Sequence, residues 1–134
     1  MSFREKSAWV MGAIMIATGL WYAQLVAAAP QAPVIGPLIP YVLAVVFLSI
    51  VAQVALAIAS PKEADAPADE RERAAIDRAG NLSGLVLGFG VITALIMYIG
   101  GWTPMMLVHA IVGALIVSTV AEYALQIFYF RRAI

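Results

Sequence analysis

Positive charge along this chain is confined to three places, and the stretches between them are long and predominantly apolar. All eight Lys and Arg residues lie at the N-terminus (Arg4, Lys6), in one central segment (Lys62, Arg71, Arg73, Arg78) or at the C-terminus (Arg131, Arg132). The two intervening stretches, Ser7 to Pro61 and Ala79 to Phe130, are each about twice the ~20 residues that a helix needs to cross a 30 Å hydrocarbon core. Each stretch predicts a transmembrane hairpin. The chain therefore reads as a single all-α integral membrane domain of four transmembrane helices in two hairpins, with helices at about 7–28, 40–60, 81–100 and 104–130 and a charged segment over 61–80.

The element ends carry their own signals. Pro30, Pro33, Gly36, Pro37 and Pro40 interrupt the first apolar stretch, and Pro104 stands where a first-turn proline loses nothing by lacking an N–H. The turns Ala27 to Pro40 and Gly100 to Pro104 carry no charge, so the positive-inside rule places both termini and the 61–80 segment in the cytoplasm. Aromatic residues fall at matching depths, with Trp21, Tyr22, Tyr41, Tyr98 and Trp102 at the periplasmic interface and Trp9, Phe128, Tyr129 and Phe130 at the cytoplasmic one. Ala27-Ala28-Ala29 mimics a signal-peptide cleavage site, but Pro30 directly after it opposes processing, and the first apolar run is expected to remain as a helix.

The two hairpins resemble one another. Val51 to Ile58 aligns with Val120 to Ile127 at five identities in eight positions, and the same offset brings Lys62 onto Arg131. This fits either a parallel duplication about the membrane normal or chance identity among helices built from Ala, Val, Leu and Ile.

Composition narrows the function. A content of 63% hydrophobic and only 12% charged residues, with mean hydropathy +0.94, suits lipid-facing helices. The formal net charge is zero and acids share the central segment with bases, so direct nucleic-acid binding is not expected. The chain has no Cys and one His. That pattern offers no thiolate nucleophile, no iron–sulfur or Cys-zinc site and no bis-histidine haem, and no cofactor or metal is expected. Neither a phosphate-binding glycine loop nor H-E-x-x-H nor G-x-S-x-G occurs, so the expectation is a protein that is not an enzyme.

Glu122 is the one acidic side chain within an apolar span. Nine residues separate it from Arg131, placing it about 13 Å inside the boundary, where an ionised carboxylate is costly unless paired, protonated or hydrated. Two roles are open: a proton or ion site, or a hydrogen-bonded strut to Gln53, which the internal similarity sets at the same depth, with Ser118 and Gln126 one turn away. His109 lies about 20 Å from Glu122 along the helix and about 140° round it, so the two cannot pair directly. Packing or an interfacial position is expected for His109.

Gly80, Gly84 and Gly88 form a ladder at four-residue spacing that predicts close helix packing, either against another subunit or, the favoured option for a bundle that must close itself first, against helix 1 or 2 of the same chain, where Ala13, Ala17, Ala55 and Ala59 are available. In the charged segment, Asp69 is placed as an N-cap with Glu72 at the third helical position, extending helix 3 outward by about two turns. Asp69, Glu70, Arg71, Arg73 and Asp77 form either a solvated linker or a docking surface for a protein partner.

The central Asp69-Glu70-Arg71, followed by Ile76 and Ala79-Gly80 and leading into a glycine-rich third helix, resembles a group of uncharacterised bacterial four-helix inner-membrane proteins. In that family the D-E-R segment is the most recognisable element, and the genes often lie beside one for a small helix-turn-helix regulator. The resemblance implies a bacterial inner (cytoplasmic) membrane location and a regulatory or accessory role without an established catalytic residue. Glu122 has no counterpart in it. Beyond the lipid bilayer, the expected partner is a protein: a cytoplasmic regulator bound or sequestered by the 61–80 segment, a larger membrane complex, or a second copy. The alternative is a small oligomeric transporter or channel using Glu122. Reporter fusions at Ile35 and Trp102 are expected to read periplasmic and a fusion at Ala66 cytoplasmic; a periplasmic reading at Ala66 refutes the topology.

Overall fold

The computed structural model describes residues 2–132 as five helices: α1 (Phe3–Ala28), α2 (Ile35–Ala59), the short α3 (Pro61–Asp65), α4 (Glu70–Ile99) and α5 (Pro104–Arg132). Helices α1, α2, α4 and α5 are each long and apolar enough to cross a membrane, which marks a multi-pass membrane protein. Their backbone groups bond within each helix, the condition that a hydrocarbon surrounding imposes.

Local chemistry sets the boundaries. The Ser2 hydroxyl accepts from the Glu5 N–H at 3.2 Å and starts α1. The α2 helix begins at Ile35, earlier than the prolines suggest. Pro37 is its third residue, where the N–H has no intrahelical partner, and only Pro40 forgoes an interior bond. The Asp69 carboxylate accepts from the Glu72 N–H at 2.7 Å, so α4 is one continuous helix from the charged segment into the apolar span. Pro61 opens α3, which the charge pattern does not announce. Gly101 turns the chain between α4 and α5 at φ 122°, a conformation that side chains with a Cβ rarely adopt.

The long helices pack in series: α2 on α1, α1 on α5, and α5 on α4, the last pair most extensively. The closest approaches all involve α5. A Cβ added to Gly19 would lie 2.7 Å from Ile116 Cγ2, one added to Gly90 would lie 2.8 Å from Ala114 Cβ, and one added to Gly12 would meet Tyr123 Cβ at 3.4 Å. At the uncharged end Tyr22, Tyr41 and Val112 join α1, α2 and α5; at the charged end Ala8, Ala75 and Phe130 join α1, α4 and α5. There Arg4 pairs with Glu72 and Arg131 with Glu5, each at 2.9 Å. Exposed pairs of this kind contribute at most about 1 kcal/mol, so their main effect is on register.

One expectation is corrected here. The Gly80, Gly84, Gly88 ladder meets nothing of this chain: an added Cβ at any of the three has no atom within 4 Å. Its face points away from α5, and the small-residue crossings fall at Gly12, Gly19 and Gly90 instead. The packing is not two-fold symmetric, since α1 packs extensively on α5 while α2 makes no comparable contact with α4. Gly90→Leu is therefore expected to lower the thermal unfolding midpoint in detergent, because the Ala114 Cβ it meets cannot swing aside, whereas Gly84→Leu should leave the midpoint unchanged.

Candidate functional site

The polar side chains within the spans fall into three separate groups. Ser118 is buried in the α4–α5 interface and donates to the Ser83 carbonyl at 3.0 Å, while Ser83 donates to the Gly80 carbonyl at 3.0 Å. This link ties the two helices at mid-length by bonding a backbone carbonyl that already sits in a helix, a common way of sheltering a hydroxyl in lipid.

Gln53 lies on α2, and its Nε2 donates to the Ser7 hydroxyl of α1 at 2.9 Å. The expected Gln53–Glu122 bond is absent. The reason is the serial packing, which gives α2 no extensive contact with α5 and so keeps the two residues apart. Glu122 is half-buried on α5, and among the described residues it has neither a hydrogen bond nor a salt bridge. Gln126, one turn on, is half-buried likewise.

His109 is the residue whose neighbours the chain order conceals. Its Nδ1 shares a hydrogen bond with the Tyr22 hydroxyl at 2.5 Å, and the Tyr22 ring lies 5.1 Å from that of Tyr41 and 5.8 Å from the imidazole. This three-helix knot lies beside an apolar groove between α1 and α5 that is lined by Gly19, Leu20, Val26, Gly113 and Ile116 in addition to Tyr22 and His109. Aromatic residues with a polar tip are suited to that position near a membrane surface. No group of three or more His, Cys, Asp or Glu side chains with metal-binding geometry occurs among the described residues.

The charged segment divides by role. Asp69 is consumed as the cap of α4, and Arg73 Nε donates to the Ala68 carbonyl at 3.0 Å, so both shape the turn. Arg4 closes the segment onto α1 through Glu72 and through the Ala66 carbonyl at 3.0 Å. Glu70, Arg71 and Asp77 remain exposed and outside these contacts. Glu70 and Asp77 are seven residues apart, and Gly84 follows after seven more, flanked by Gly80 and Gly88. On an α-helix that spacing drifts by only about 20° per step, so the acids and the ladder share one stripe of α4.

No family model matches this chain, and no curated protein or solved structure matches it.

A double-mutant cycle is expected to give Gln53→Leu and Ser7→Ala a coupling of about 0.6 kcal/mol, the usual size of an interhelical hydrogen bond in a membrane. Unfolding in detergent measures it. Glu122→Leu should leave that coupling unchanged.

Proposed function

We propose that this chain is a non-catalytic protein of the bacterial inner membrane that works by binding a protein partner along one stripe of α4, as a regulator or as an accessory subunit of a membrane complex. In this reading the spans form two hairpins with both termini and the 61–80 segment in the cytoplasm. The observation that carries it is the stripe itself. Glu70 and Asp77 continue it beyond the apolar span, Gly80, Gly84 and Gly88 continue it within, and among the described residues no atom lies within 4 Å of a Cβ added at any of the three glycines. A partner helix could approach closely over the glycines, while its own extension met the acidic pair. The likeness of the Asp69-Glu70-Arg71 segment to membrane proteins encoded beside a helix-turn-helix regulator supports the regulatory form.

One observation favours a second reading, a small oligomeric transporter or channel. Glu122 is half-buried and has no cation opposite it among the described residues, so an ion or proton could use it.

Purification of the intact protein in mild detergent separates the readings. A co-purifying chain that is lost with Gly84→Leu and with the Glu70→Lys, Asp77→Lys pair, while the unfolding midpoint holds, is the expected result. A homo-oligomer whose proton flux in proteoliposomes disappears with Glu122→Gln would replace the first reading with the second.

A further inference from the structure

We propose that the cleft between the first turns of α4 and the last turns of α5 binds the phosphate of an anionic phospholipid headgroup. The cleft encloses about 370 Å³, and its lining includes Arg71, Arg78, Arg132, Phe128 and Tyr129. No carboxylate lines it. In a chain of zero formal charge this is a local excess of three positive charges. Among the described residues none of the three arginines forms a salt bridge, the ion pairs there being those of Arg4 and Arg131. The acids of the same helix, Glu70 and Asp77, fall about 100° round α4 from Arg71 and Arg78.

The aromatic residues set the form of the site. Arg78 Cζ lies 5.9 Å from the Tyr129 ring centroid and Arg132 Cζ lies 5.3 Å from that of Phe128, while the two rings meet edge to face at 5.4 Å. A guanidinium held against a ring keeps its in-plane N–H donors for an acceptor, and a tetrahedral phosphate with several oxygens fits such forks.

Position selects a lipid over a free anion. The cleft sits where the apolar spans end, at the depth of headgroups. Beyond Arg78, Leu82, Leu85 and Phe89 follow on the same side of α4 at helical spacing and are 39%, 70% and 77% exposed. They give an acyl chain an apolar track leading directly away from the headgroup. Neither an inorganic phosphate nor a soluble nucleotide would use that track. This site stands on a different face of α4 from the acidic and glycine stripe, and it does not rest on the partner-binding reading.

The test is native mass spectrometry of the full chain released from micelles containing equal amounts of phosphatidylglycerol and phosphatidylcholine. Phosphatidylglycerol should be retained over phosphatidylcholine. R78Q and R132Q should each reduce its retention about fivefold, the effect of one basic residue near an anionic surface, whereas R131Q, which removes the same charge from the Glu5 pair, should change it less than about twofold. Unchanged circular dichroism and elution volume establish that each variant is folded. Equal retention of the two lipids, or an equal loss with R131Q, overturns the site. Displacement of phosphatidylglycerol by excess inorganic phosphate overturns its assignment to a lipid.

Discussion

Helices in a bilayer are not pressed together by water, because lipid tails solvate an apolar side chain as well as another helix does. Helices therefore hold together by close contact, and the glycines of this chain that meet a neighbouring helix all meet α5. Gly12 and Gly19 let α1 settle against Tyr123 and Ile116, and Gly90 lets α4 settle against Ala114. Ser118 adds a hydrogen bond at the second of these seams. The α5 helix is thus the common support, with α1 and α4 on two of its sides. The α2 helix rests mainly on α1, through the Gln53–Ser7 bond and the Tyr22–Tyr41 contact, and joins α5 at the uncharged end, where Tyr41 shares a cluster with Val112. With its one extensive contact committed to α5 and a lesser one to α1 at Ala75 and Glu72, α4 leaves much of its remaining surface exposed.

The parts of this architecture that meet water or its boundary were legible in the chain. Charge placement marks where spans end, and Asp69 with Glu72 declares the start of α4 because a cap is a local bond between near neighbours in sequence. The interior arrangement was not legible. In a soluble protein the buried face of a helix differs in polarity from the exposed one, but here Leu85 and Phe89, open to lipid, are as apolar as Val112, buried at a three-helix contact. Spacing alone then favours the regular ladder Gly80, Gly84, Gly88 over the isolated Gly19 and Gly90, although the isolated glycines make the crossings. The Gln53–Glu122 link failed for a related reason: similarity between two helices equates their depths, not their neighbours. His109 meeting Tyr22 has no local signature, since the two belong to helices that adjoin only after folding.

The exposed turns of α4 separate charge of opposite sign around one axis. Glu70 and Asp77 lie to one side, with Arg73 between them, and Arg71 and Arg78 lie to another, while Glu72 is held by Arg4 between α4 and α1. A mixed charge run that averages to near neutrality along the sequence is therefore far from neutral around the helix. Its acidic side continues into small residues that admit a backbone, and its basic side into large apolar residues that suit a fluid chain. One helix thus presents two chemically different faces.

The unbroken course of α4 from Glu70 to Ile99 has a mechanical meaning. At about 1.5 Å per residue it is a rod of about 45 Å, with no proline along it to act as a hinge. Such a rod cannot bend sharply where it leaves the bilayer, so a torque applied to its outer turns must appear as tilt or rotation at depth. Because Ala75, Ser83 and Gly90 are all seated on α5, the charged turns and the apolar span of α4 are coupled along their length to that one neighbour, and a displacement at either end is shared with it.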